Sequence, residues 1–152
     1  MIYFINHIFF IMTGQLQVLE RVNIADLTPL MVGKQLLGQV TSLKLEKEKG
    51  SSGEETEYYR GQLADSTGCI NFTLVKDKVL QISVGQTLRF FNFRTKFLKD
   101  QSKKNLYKIY LAVDKFGNVV EEKTEKVSNL NTKYNISEEV WEPDNEESKN
   151  KN

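Results

Sequence analysis

The 152-residue chain has one cysteine, one histidine and two prolines. Cys69 alone can form neither an internal disulfide nor a multi-thiolate metal site, so the fold must stand on its own core. A reducing compartment suits such a chain. The sole histidine, His7, lies in the first dozen residues, which leaves the body of the chain without a histidine triad or a histidine metal set. Neither Asp65, Asp77 nor the C-terminal carboxylates form a pair that stands out from ordinary surface acids. Cys69 opens a strand, where a small packing residue is the commoner role. The chain is therefore not expected to be an enzyme, and no cofactor is expected. Gly50-Ser51-Ser52-Gly53 is the one stretch that resembles a phosphate loop, but the Lys-Ser/Thr that would follow and the strand-to-helix setting are missing.

Long apolar runs are missing too. The first 12 residues, MIYFINHIFFIM, are apolar but fall short of the roughly 20 needed to span a bilayer. They carry neither a basic start nor a small-residue cleavage site. The stretch is expected to be an apolar segment packed on the domain, or upstream translation ahead of a start at Met12, with no membrane partner. The expected location is nuclear or cytoplasmic, not secreted.

What is present is a globular composition, 39% hydrophobic and 27% charged, long enough for one domain with a real core. The expected boundaries are an extension over 1–19, a domain over 20–128 and a C-terminal extension over 129–152, disordered after 142. The net charge of +1 conceals an imbalance. Gln86 to Tyr110 holds seven bases and one acid, a local 7 − 1 = +6, whereas Glu121 to Asn152 holds nine acids and five bases, a local −4. Local charge of this kind bears on partners more than the total does.

Alternation places the strands. A Leu- and Val-rich run over 34–47 contains Gly38, which suggests a bulge there, and a charged Gly/Ser loop follows over 46–55. A hairpin over 56–65 and 69–77 turns at Ser66-Thr67-Gly68, with Gly68 suited to a positive φ. A short helix or loop over 76–85 offers Val79, Leu80 and Ile82 for packing. A second hairpin, 86–98 and 106–113, carries the basic loop 99–105. Five strands with a helical or looped break between the third and fourth are the element order of an OB-fold, a small all-β Greek-key barrel whose central strands and two long loops take oligonucleotides.

In the second hairpin, Phe91, Phe93, Thr95 and Phe97 share one face, and aromatics on the apolar parity are expected in the core. Parity leaves Tyr58, Arg60, Gln62, Asn71, Thr73, Asn92, Arg94, Lys96, Lys108 and Tyr110 on the outer face as candidate nucleic-acid contacts. Lys99, Lys103 and Lys104 form a basic rim. Arginine and lysine can pair phosphates, and arginine can also stack on bases. Trp141 is either a local cap or an anchor for a partner, and the acidic tail is a candidate competitor for the basic face.

Ala64-Asp65-Ser66-Thr67-Gly68-Cys69-Ile70-Asn71-Phe72, with Val84-Gly85-Gln86 and Leu88-Arg89, resembles the SOSS-B-like family of single-OB-fold single-stranded DNA-binding proteins. Leu111 to Gly117, LAVDKFG, is similar to a plant branch of small OB-fold proteins. The resemblance spans roughly 24–127, with a fainter match through Trp141. It implies binding of single-stranded DNA or RNA, DNA slightly ahead, by stacking and backbone contacts. It also implies a place near repair or RNA-handling complexes, the alternative role being a protein-interaction module of such a complex. Where that family carries a third-strand tryptophan this chain has Val75, and its two fourth-strand aromatics fall near Arg94 and Leu98. Tyr110 is the best-matched stacking aromatic, so the expected interface depends on charge more than on stacking.

Overall fold

The structure, a computed structural model, describes residues 9–12, 15–76, 81–103 and 105–142. Strands β1 (Phe9–Met12) and β2 (Gln15–Val18) form a separate antiparallel ribbon. The main sheet comprises β3 (Glu20–Arg21), β4 (Lys34–Lys49), β5 (Glu55–Ala64), β6 (Cys69–Val75), β7 (Thr87–Phe91), β8 (Arg94–Lys99), β9 (Tyr107–Ala112) and β10 (Asn118–Glu121). Their order is β10-β7-β4-β5-β6-β9-β8, with β3 beside β4. The long β4 pairs antiparallel with both β5 and β7, and β6 pairs parallel with β9. These pairings are those of an OB-fold, and the five expected strands are β4, β5, β6, β7 with β8, and β9.

The fourth strand is therefore two strands. Asn92 takes φ 47°, a left-handed conformation that asparagine tolerates better than most residues. The chain leaves β4 there and restarts as β8 on the far edge of the sheet. The break resets the parity, so Phe90, Phe91 and Phe93 are all buried. Phe97 departs from expectation: it is 41% exposed and stands 5.4 Å from the Tyr107 ring. β8 is an edge strand, so the inner side of its outer half is only partly covered.

The bulge in β4 falls at Thr41, not at Gly38. Val40 pairs with Leu63 and Ser42 with Gln62, which leaves Thr41 as the extra residue. Its hydroxyl donates to the Gln62 carbonyl and side-chain oxygens at 3.3 and 3.1 Å. The inward side chains change parity across the bulge, from Leu36 and Val40 to Leu43. The barrel core is Ile24, Leu36, Val40, Leu63, Ile70, Phe72, Leu88, Phe90, Phe93, Ile109 and Leu111, closed at one end by Ile136.

Between β6 and β7, residues 81–86 form a turn without helix, and Ile82 is buried. Val79 and Leu80 lie outside the described residues. So do residues 1–8 and the tail after 142.

The Asp65 turn is a junction. Its carboxylate accepts from Ile24 N (2.9 Å), Thr67 N (2.8 Å) and Gly68 N (3.2 Å), binding the hairpin to the short 3-10 turn Ile24–Asp26. Gly68 does not take the expected positive φ. It is needed for space, because a Cβ there would lie 3.0 Å from the Tyr134 carbonyl oxygen. The described residues beyond 128 pack onto the barrel at this point. Cys69 N donates to Tyr134 O at 2.8 Å, and Tyr107 and Trp141 exchange backbone hydrogen bonds of 3.0 and 2.8 Å. Residues 134–141 thus lie between the splayed starts of β6 and β9, and Trp141 acts as a local cap packed against the core.

Candidate nucleic-acid interface

The outer face is set by register. Lys44 pairs with Arg60, Arg60 with Thr73, Thr73 with Ala112 and Ala112 with Arg94, which makes one row across five strands. Ser42, Gln62 and Asn71 form the neighbouring row, continued by Tyr110 and Lys96. The structure thus brings Tyr58, Arg60, Gln62, Asn71, Thr73, Arg94, Lys96, Lys108 and Tyr110 onto one face, because strand side chains alternate with period two. Lys99 ends β8 at one edge of this face, and Lys103 sits in the adjoining loop. Lys104 lies outside the described residues.

Many of these groups already have partners. Arg60 is ion-paired with Glu46 and Glu48 and lies 5.4 Å from the Tyr58 ring centroid. The hydrogen bonds it donates to Glu48 and then to Glu46 raise its pKa further. Lys44, then Arg60, holds the Glu46 carboxyl below its ordinary range. Arg94 pairs with Asp114, whose pKa is lowered first by the Phe116 amide and then by Arg94. Lys108 stands 3.5 Å from Glu138. Asn71 accepts from Asn135 at 3.2 Å. These ion pairs are partly exposed, where water screens the attraction, so a phosphate can exchange with them.

Asn92 is a correction. Its side chain accepts from Gly33 N at 3.2 Å and donates to Phe116 O at 3.0 Å, so it clamps two loops instead of facing a ligand. Arg89 contributed to the +6 count but is interior: its side chain is 11% exposed and bound by Glu122 and Glu125. Among the described residues of this stretch, Lys96, Lys99 and Lys103 have no ion-pair partner. The cationic face is smaller than the raw count and centres on the β8–β9 hairpin.

Sequence reasoning missed an apolar group beside that hairpin. Leu30 and Val32 are 68% and 51% exposed, and with Arg94, Thr95, Lys96, Phe97 and Tyr110 they line a concavity of about 400 Å³. The available signal was the apolar triplet Leu30-Met31-Val32 between Pro29 and Gly33, too short for a strand and not buried as a unit. Cys69 is buried, and burial raises its thiol pKa, which suits a packing residue. No helix among the described residues is long and apolar enough to cross a membrane.

No family model and no curated protein matches the chain. Among solved structures, a hypothetical protein from Arabidopsis thaliana, F20O9.120, is similar with a TM-score of 0.56 at 23% identity, covering 76% of this chain and 81% of that one. The OB domain of Ta0387 from Thermoplasma acidophilum is similar with a TM-score of 0.52 at 16% identity, covering 71% of this chain and 91% of that one. These likenesses and the strand order agree: the chain has an OB-fold.

Proposed function

We propose that the protein is a non-catalytic binder of single-stranded nucleic acid, DNA ahead of RNA, using the outer face of β5, β6, β8 and β9. The supporting observation is the register, which through the parallel β6–β9 pair and the antiparallel β8–β9 pair puts Thr73 and Arg94 in one row and Tyr110 and Lys96 in the next, beside Lys99 and Lys103. A polar sheet face with two tyrosines, Tyr58 and Tyr110, and a basic border suits a flexible polyanion whose bases lie flat. A rigid duplex would touch only the rim. The resemblance to the SOSS-B-like proteins supports the same reading and suggests repair or RNA-handling complexes as the setting.

Fluorescence anisotropy with single-stranded DNA, single-stranded RNA and duplex at two salt concentrations tests this. Both single strands should bind more tightly than duplex, with affinity falling steeply as salt rises. Tyr110→Ala should remove about 1–3 kcal/mol of stacking. Lys96→Ala should reduce the salt slope by about one. A wild-type protein that binds none of the three at low salt would rule the proposal out and favour a protein-interaction module.

A further inference from the structure

Leu30 combines three properties that do not ordinarily occur together. It is a leucine at φ 60°, and every other left-handed residue among those described is asparagine or glycine. It is 68% exposed, so core packing does not explain its apolar side chain. Its segment is nevertheless held firmly. Buried Thr95 accepts from Met31 N at 2.8 Å and donates to Thr28 O at 2.7 Å, while Asn92 accepts from Gly33 N at 3.2 Å. A strained residue persists only where its surroundings determine it, and such residues cluster at ligand-contacting sites.

The clamped loop and the edge of β8 share one concavity, which Leu30 and Val32 line together with Arg94, Thr95, Lys96, Phe97 and Tyr110. The geometry points to a nucleobase subsite: the concavity of about 400 Å³ takes one unstacked base against Leu30, Val32 and Tyr110, while Arg94 and Lys96 hold the adjoining phosphates. A concavity lined about equally by apolar and polar groups, with two cations at it, matches one nucleotide in both shape and charge. This inference rests on the proposed single-strand binding, and it extends that face past the β8 edge by two residues that the sheet rows do not include, Leu30 and Val32.

The test uses Leu30→Gly and Leu30→Asn in the full chain, since both residues accept a positive φ. Thermal midpoints should be unchanged or higher. Affinity for a single-stranded oligonucleotide should fall roughly five- to tenfold. The salt slope should stay as in wild type, because the phosphate contacts remain. A series of oligonucleotides with single abasic positions locates the base: one position should weaken wild type and leave both variants indifferent. Variants that bind and discriminate like wild type would overturn the subsite while leaving single-strand binding intact. A drop of several degrees in both midpoints would also overturn it, by making Leu30 a structural residue. Failure of the wild type to bind any oligonucleotide would overturn both proposals.

Discussion

Arg89→Ala is expected to lower folding stability by about 3–5 kcal/mol at neutral pH. The guanidinium donates to Glu122 (2.8 Å) and Gln35 (3.2 Å) and pairs with Glu125 at 2.8 Å. Gln35 in turn donates to Leu19 O at 2.7 Å, so one side chain ties β7 to β4 and to the segment that follows β10. Removing it would leave the Glu122 carboxylate, 14% exposed, without its cation. The pH dependence separates this cause from simple loss of packing. Burial pushes Glu122 up, but the Thr124 hydroxyl, Arg89 and the amides of Glu125 and Thr124 outweigh it, lowering the pKa from 4.5 to about 2. A carboxyl depressed on folding contributes stability above its unfolded value and loses it as the pH falls toward the folded one. The wild type therefore loses this contribution between pH 4.5 and about 2. In Arg89→Ala the pKa of Glu122 rises, and protonation relieves the unpaired charge. Urea unfolding across this range should show the gap between the two proteins narrowing as the pH falls. A gap that stays constant would assign the loss to packing alone. Adding Glu122→Gln to Arg89→Ala should recover part of the loss at neutral pH.

The same residue shows where the sequence was readable and where it was not. Period-two alternation found the strands and most of the outer face, because register carries parity from one strand to the next and Arg60, Thr73 and Arg94 fall in one row as their spacing implies. Parity fails wherever the backbone leaves the extended region. At Asn92 it broke one expected strand into two and buried Phe90 and Phe91 side by side. At Thr41 it shifted the inward set of β4 by one. Phe97 kept its parity but not its burial, because the edge position of β8 depends on contacts far away in sequence. Charge counting failed for a related reason. Arg89 and Arg94 look alike in the sequence, but the acids that meet them come from 114, 122 and 125, and only the fold decides which base they neutralise. Leu30 was hidden because a turn near Pro29 gives no hint that its loop will be fastened to Thr95, 64 residues from Met31.

Gly61→Ala is the second large effect, and it bears directly on the interface. Gly61 lies between Arg60 and Gln62 on β5, opposite Leu43, just past the Thr41 bulge. The bulge coils β4 so closely over β5 that a Cβ on residue 61 would lie 2.1 Å from the Ser42 carbonyl oxygen and 3.1 Å from Phe72 Cζ. The first neighbour is backbone, fixed by hydrogen bonds along the β4–β5 ladder, so no rotamer change can relieve the clash. Either the ladder opens at the bulge or the Phe72 ring is forced out of the core. A loss of about 3 kcal/mol is expected, or roughly 10 °C in thermal midpoint for a domain of this size. Gly50→Ala is the matched control, since a Cβ there meets only the flexible Glu54 side chain, and it should change the midpoint by a few degrees at most. Because the clash pries apart the strands that carry Lys44 and Arg60, Gly61→Ala should also weaken oligonucleotide binding at temperatures where the protein is still folded. A variant as stable as wild type would mean that β4 and β5 lie farther apart in solution than the Thr41 bulge places them.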